Sequence, residues 1–277
     1  MAPEGYHASM STEDIAAADV PDLVSRITEL TPVKRQFWFR GQGCESYGLT
    51  PSLWRKLNHS AAPDALEPKN VLAMETRLLT RFRQRSLPYW PDGYPQSDWE
   101  HLFAMQHYGI PTRLLDWTTN LLMAVFFALQ HDPARCPCQT GSCQPTIWVL
   151  DPSKLNHVNP RLDGLPVGVL ATSDQQVEAW APGVSETVFA PSPIAIYGTH
   201  NTARITAQHG SFTVGGKTAK PLDELMGQVQ ETGILFKASL TTSRDQLTKQ
   251  LRLLGITRSA AYPGLAEVAY DITEEEM

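Results

Sequence analysis

The sequence predicts an α+β fold in a single domain, with a mixed or antiparallel sheet and flanking helices. Three observations carry that prediction. Strand-like and helix-like segments are mixed along the chain without regular βαβ alternation. No internal repeat is visible. No Pro-, Gly- or Ser-rich linker divides the 277 residues, of which 42% are hydrophobic, enough for one large core.

Each element rests on a local pattern. Residues 1–18 read as a flexible tail, and the domain as 19–277. Asp19 or Asp22 can cap a helix through about Leu30, since Val20, Leu23, Val24, Ile27 and Leu30 share a face. Thr31-Pro32 stops it. Gln36–Arg40 predicts a short aromatic strand, ended by Gly41-Gln42-Gly43. A Pro- and polar-rich loop runs to about Pro68. Asn70–Arg85 is then amphipathic, with Val71, Met74, Leu78, Leu79 and Phe82 on one face. Asp98 is expected to cap a helix over Trp99–Tyr108, closed by Gly109-Ile110-Pro111.

Asn120 opens a nearly all-apolar helix, Leu121–Gln130, which must lie deep in the core. His131–Pro145 is a Cys/Pro/Gly loop, read as an insertion at 131–145. Thr146–Leu150 reads as a buried strand. Residues 152–193 are weakly patterned and predict irregular chain with short helices. Strands resume at Ile194–Tyr197, Ser211–Val214 and Ile234–Leu240, and Ser243 caps a last helix, Gln246–Leu254.

Charge and motifs then exclude several functions. Lys+Arg 23 against Asp+Glu 29 gives a net charge of −6, which disfavours a general nucleic-acid coat and leaves open a local basic groove. The longest apolar run, Leu121–Leu129, is too short to cross a bilayer, so no membrane partner is expected. The first residues, MAPEGYHASMSTED, lack the basic and apolar regions of a secretory signal. With four cysteines in the chain, the expected location is the reducing cytoplasm. There is no GxxxxGK[ST], no GxGxxG after a strand, no GxSxG and no HExxH, which argues against P-loop chemistry, hydride transfer and serine or zinc hydrolysis. Cys136-x-Cys138-x₄-Cys143 could take zinc with His131 as fourth ligand. It lacks paired CxxC knuckles, so free thiols on a surface insertion are expected and no metal is assigned.

Three polar clusters remain. In Gln106–Asn120, the residues His107, Tyr108, Arg113, Asp116, Trp117, Thr118 and Asn120 crowd a stretch running into the apolar helix. They form either a polar network, with Asp116 paired to Arg113, or the floor of a ligand pocket. Arg40 sits on the aromatic strand and needs either an acid such as Asp116 or a bound phosphate. Gln208, in Arg204-x₃-Gln208-His209-Gly210-Ser211-Phe212-Thr213, precedes a short strand. It places an amide at a pocket edge, or simply marks a strand entry with Gly210 at a bulge.

Together these pieces resemble the FRG domain, a family named for its Phe-Arg-Gly motif. The resemblance runs from about Gln36 to Asp271. It is carried by FWFRGQ at 37–42, LTPSLWR at 49–55, MQHYGIPTRLLDWTTN at 105–120, AVFFA at 124–128, TIWVLD at 146–151, QHGSFT at 208–213 and LGITRSAAYPGL at 254–265. The order of motifs is similar to that of ADP-ribosyltransferases, which implies an ADP-ribosyltransferase-like core with NAD as substrate. By that resemblance Arg40 holds NAD phosphate or ribose, and Thr118 or Thr119 supports the nicotinamide ribose. Trp117 or Tyr108 stacks on nicotinamide, and Gly41, Gln42, Arg113 and His209 complete the NAD contacts. The third catalytic position falls at Gln208, where such transferases usually carry Glu; Asp116 is the alternative acid. A Gln can hydrogen-bond a ribose hydroxyl but supplies no negative charge opposite a cationic transition state.

The resemblance implies a bacterial toxin or phage-defence effector. Its acceptor would be a nucleic acid or a protein, and a cognate antitoxin or immunity protein is a further expected partner. Two alternatives stay open: a non-catalytic module binding a nucleotide or partner protein, and an NAD glycohydrolase.

Overall fold

The structure is a computed structural model and describes residues 13–30, 35–60, 62–90, 93–132, 136, 138, 143–165, 168–198, 207–208 and 210–277. Its centre is an eight-stranded mixed sheet. The strands are β1 (Glu13–Ala17), β2 (Trp38–Gln42), β3 (Leu114–Thr118), β4 (Thr146–Leu150), β5 (Leu170–Ala171), β6 (Ile194–Tyr197), β7 (Gly210–Val214) and β8 (Leu235–Leu240). Their spatial order is β1-β8-β4-β2-β3-β7-β6-β5. β1–β8 and β5–β6 are parallel, and the other pairs are antiparallel. The helices are α1 (Val20–Leu30), α2 (Ser52–Asn58), α3 (Pro68–Ser86), α4 (Asp98–His107), α5 (Leu121–Leu129), α6 (Pro152–His157), α7 (Leu222–Met226), α8 (Arg244–Leu253), α9 (Arg258–Ala261) and α10 (Leu265–Glu276). The prediction of one α+β domain with a mixed sheet holds.

Strand periodicity distributes the core. Phe39 of β2, Ile147 and Val149 of β4 and Ala238 of β8 pack with the apolar helix α5, with α1 and with α8. Leu114 of β3 and Phe212 and Val214 of β7 pack with Trp99, Leu102 and Phe103 of α4. The alternate residues Trp38, Leu115, Trp117, Trp148 and Leu150 form a third cluster with Leu155 and Leu222. α5 begins where Asn120 was expected to start it: the Asn120 side-chain oxygen accepts hydrogen bonds from the N–H groups of Leu122 (3.0 Å) and Met123 (3.3 Å).

One break in the sheet matters for function. β2 pairs with β4 over five residues and β3 with β7 over five, yet β2 and β3 share only the Phe39–Thr118 pair. The two central strands therefore part on one side of that pair and leave a fork.

Several expectations need correction. Residues 13–17 are not tail: they add a parallel edge strand to β8, with Ile15 and Ala17 packed inward. Five residues without polar alternation give no strand signal alone; pairing to β8 makes the strand. β2 does not stop at Gly41 but continues through Gln42 against β4. Ser97, not Asp98, caps α4, through a capping box with Glu100. α2 forms inside the expected loop, where Leu53, Trp54 and Leu57 are buried. Leu114–Thr118 forms a strand whose Leu-Leu-Asp-Trp-Thr reads ambiguously in isolation.

Gly41 has a structural reason to be glycine. A Cβ there would fall onto the Ala124 carbonyl of α5 and lie 2.6 Å from the Ala128 nitrogen, both backbone atoms that cannot turn aside. Gly41→Ala should therefore push α5 off β2 and lower stability by about 1–3 kcal/mol, as overpacking does. Denaturant unfolding measures it; an unchanged midpoint would mean α5 is not seated so closely.

Candidate functional site

A cleft of about 290 Å³ opens at the fork between β2 and β3. That volume lies at the lower end for small-molecule sites, about 300–1,000 Å³. Its walls come from both halves of the sheet: Phe39, Arg40 and Gly41 of β2, and Asp116 and Thr118 of β3. Phe212 of β7, Phe103, Gln106 and His107 of α4, Phe127 of α5, and Gln208 complete them. The rings of Phe103 and Phe212 stack with centroids 4.6 Å apart and are almost fully buried, an apolar floor beneath the cleft.

Arg40 spans the fork. Its Nη1 donates to the Asp116 main-chain carbonyl at 2.8 Å and lies 3.6 Å from the Asp116 carboxylate. Its Nε is buried with no hydrogen-bond partner among the described residues. Burial lowers the Arg40 pKa and the Asp116 charge opposes that shift; a guanidinium nonetheless stays charged. The pairing of Arg40 with Asp116 is the one the sequence offered as its structural alternative, whereas Asp116 with Arg113 is not formed.

Asp116 stays open to solvent, with its side chain 54% exposed, while its orientation is fixed. The Gln106 amide nitrogen donates to its Oδ2 at 2.6 Å, and the Gln106 amide oxygen accepts from the Thr112 hydroxyl at 2.5 Å. Sequence reasoning passed over Gln106 although it opens the motif; its position one helical turn before Gly109-Ile110-Pro111 was the available signal. Arg55 was missed as well. α2 is tied to the segment before β3 by Leu53 N–H to the Thr112 carbonyl (3.0 Å) and by Thr112 N–H to the Ser52 hydroxyl (3.0 Å). That tie brings Arg55 within the field of Arg40. Burial first, and then the Arg40 charge, lower the Arg55 pKa, with Asp116 and Tyr47 opposing. Arg55 itself donates to the Thr50 carbonyl and does not line the cleft.

Gln208 lines the cleft, and its amide nitrogen donates to the Ala261 carbonyl of α9 at 3.0 Å. Thr118 is buried and its hydroxyl accepts from Asn120 N–H at 3.0 Å, so it braces the start of α5 as well as the cleft wall.

Other expected contacts lie elsewhere. Arg113 is 0% exposed and wholly engaged: Nε and Nη2 bind the Glu75 carboxylate at 2.7 and 3.0 Å, Nη1 the Gly215 carbonyl and Nη2 the Trp180 carbonyl. The Phe189 ring covers it at 5.1 Å. A guanidinium with this many acceptors is core structure, not a ligand contact. Trp117 sends its indole into the opposite core, donating to the Thr213 hydroxyl at 3.0 Å, so only its backbone side borders the cleft. Tyr108 is 65% exposed and lines a separate hollow with Phe82, Tyr89 and Trp90. Gln42 bridges the Gly48 carbonyl and the Trp148 indole N–H. Thr119 is not among the residues lining the cleft. His209 lies outside the described residues. The aromatic surfaces in the cleft are therefore Phe39, Phe103, Phe127 and Phe212.

Residues 35–135 match the family model of the FRG domain. The chain contains an FRG domain. No curated protein and no solved structure matches the chain. The FRG match spans β2 to α5 and so includes Arg40, Arg55, Gln106, Asp116 and Thr118, whereas Gln208 comes from outside it. Among the described residues, no helix is long and apolar enough to cross a membrane.

Proposed function

We propose that the FRG domain binds NAD in the β2–β3 fork and transfers its ADP-ribose to a macromolecular acceptor. The observation that carries this reading is Arg40, a charged fork at the cleft wall whose Nε is buried without a partner among the described residues. A buried donor without an acceptor costs about 1–3 kcal/mol, and an anionic group arriving in the cleft would relieve that cost. A pyrophosphate suits a guanidinium fork, and the half-buried Phe127 at the cleft wall is the aromatic surface left to meet a planar nicotinamide.

The chemistry needs little beyond placement and charge. The bond from ribose C1′ to the nicotinamide nitrogen breaks, and its electron pair leaves with nicotinamide. Positive charge spreads over the ribose, and an acceptor oxygen or nitrogen then bonds to C1′, losing its proton to solvent or to a carboxylate. Asp116 is the acid suited to both tasks: it is open to the cleft, held by Gln106, and negative opposite the developing cation. Gln208 is neutral, and its amide nitrogen is turned toward Ala261. That detail also favours a second reading, a nucleotide-binding module without turnover.

Incubation of the purified protein with labelled NAD and a cell lysate tests the proposal. Asp116→Asn should lower transfer by about 10²–10³-fold, the scale of losing one well-placed electrostatic group, while thermal stability holds. Label released only by nuclease identifies a nucleic-acid acceptor, and label released only by protease a protein acceptor. Free ADP-ribose without labelled macromolecule makes the protein a glycohydrolase. Binding of NAD with no product would leave the nucleotide-binding module.

A further inference from the structure

All four cysteines of the chain gather in one cluster, and none of them lines the cleft. Cys44 follows β2 and is fully buried; Cys136, Cys138 and Cys143 come from the loop between α5 and β4. Their four sulfur atoms lie within 4.8 Å of one another, and Cys136 Sγ is 3.0 and 2.9 Å from those of Cys138 and Cys143. The expectation of free thiols on a surface insertion holds for Cys136, which is free and half-buried, and not for Cys138 and Cys143, which are joined to each other. The fourth member is Cys44, far upstream, and not His131. Its distance along the sequence is why spacing alone could not reveal the set.

We propose that Cys44, Cys136, Cys138 and Cys143 form a tetrathiolate zinc site that staples the loop 131–145 to the end of β2. Four thiolates about a tetrahedral zinc at 2.3 Å sit about 3.8 Å apart. Cys136 must therefore draw back by less than about 1 Å from Cys138 and Cys143, and those two must part further once their disulfide is reduced. A disulfide accounts for two sulfurs. It gives no reason for Cys44 and Cys136 to converge on the same point, whereas a soft divalent cation draws in all four.

The surroundings are built for such a centre. Arg244 of α8 donates to the carbonyls of Gly43 (2.6 Å), Cys143 (3.1 Å) and Ala128 (2.8 Å), holding the backbone beside two ligands from separate segments. The Glu45 carboxylate accepts from Gln144 N–H at 2.7 Å, and Lys237 Nζ donates to the Glu45 carbonyl at 2.8 Å. These bonds fix Cys44 and Cys143 side by side whatever the metal does, as outer partners of metal sites do. A zinc with four thiolates carries a net charge of −2, and Arg244 supplies a cation beside it.

Cys138 and Cys143 are joined as a disulfide in the structure. Two small-molecule thiols reduce it, leaving as their own disulfide and giving two protein thiols. Zinc then displaces up to four protons from the four thiols to solvent.

The full chain, purified with a thiol reductant and without chelator, should carry about one zinc per molecule by elemental analysis, the stoichiometry of a closed four-cysteine site. Replacement by cobalt should give the intense visible bands of a tetrahedral thiolate complex. Cys136→Ser, at the half-buried ligand, should lose the zinc and lower the unfolding midpoint while keeping the far-UV circular dichroism of the native chain; Cys44→Ser should do the same. Chelation of the wild type should reproduce the loss of midpoint. The proposal is overturned if the reduced, folded protein takes up no zinc when supplied with it, if it retains another metal instead, or if Cys136→Ser keeps the full complement. No step of this test involves NAD.

Discussion

Replacing Glu75 with Ala should lower the midpoint of thermal unfolding by about 10 °C. Glu75 of α3 is 1% exposed, and its two carboxylate oxygens receive Nε and Nη2 of Arg113. Removing one member of a buried pair leaves an uncompensated charge, which costs about 3–5 kcal/mol. For a domain of this size each kcal/mol moves the midpoint by about 2–4 °C. The Gly215 and Trp180 carbonyls still solvate the guanidinium, which keeps the loss from being greater. The double change Glu75→Leu with Arg113→Met removes both charges and should recover most of the stability, since apolar replacements of buried pairs are often neutral. Scanning calorimetry of the three proteins decides it. A Glu75→Ala midpoint equal to that of the wild type would mean the pair contributes nothing to the fold.

Changing Arg40 to Lys should weaken NAD binding by about tenfold to a hundredfold while leaving stability nearly intact. Charge-assisted hydrogen bonds contribute about 1.5–3 kcal/mol each, and lysine keeps the charge but not the bidentate geometry. Arg40 gives up little in the fold: one bond to the Asp116 carbonyl, a 3.6 Å contact with an exposed carboxylate, and a buried Nε without a partner. Its replacement loses one bond of about 0.5–1.5 kcal/mol and removes an unpartnered buried donor costing about 1–3 kcal/mol, two opposing changes that should leave the unfolding free energy unchanged or slightly raised. Arg113→Lys should show the opposite pattern, a large loss of stability and no specific loss of ligand. If Arg113→Lys folds and fails to bind NAD as Arg40→Lys does, the division between these two arginines is wrong.

That division shows where the sequence was legible. Elements with one strong local signal appeared close to their predicted places. The apolar run Leu121–Leu129 with its Asn120 cap, the strand Thr146–Leu150 and the helix capped by Ser243 are examples. Those helices and strands are specified by their own periodicity and caps. β1 and β3 were not, because their five-residue segments become strands only through partners distant in sequence, β8 and β7.

The site divides in the same way. Arg40, Asp116, Thr118 and Gln208 do meet at one cleft. Arg113 and Trp117, beside them in sequence, turn into the core on the other side of the strand, a consequence of two-residue alternation that only the strand assignment exposes. Arg55 carries no signature that separates it from surface residues, and Gln106 only its position one helical turn before Gly109; the place of both depends on where α2 and α4 dock. The cysteine cluster illustrates the limit most plainly, since Cys44 and Cys143 adjoin only because β2 and β4 are neighbours.

The most direct test of the proposed site is a calorimetric titration of NAD into the wild-type protein and into Arg40→Ala, with matched unfolding midpoints as the control for folding. The fork reading predicts saturable binding at one site per chain in the wild type and its loss in Arg40→Ala. Equal binding by both proteins, or none by the wild type, would contradict it.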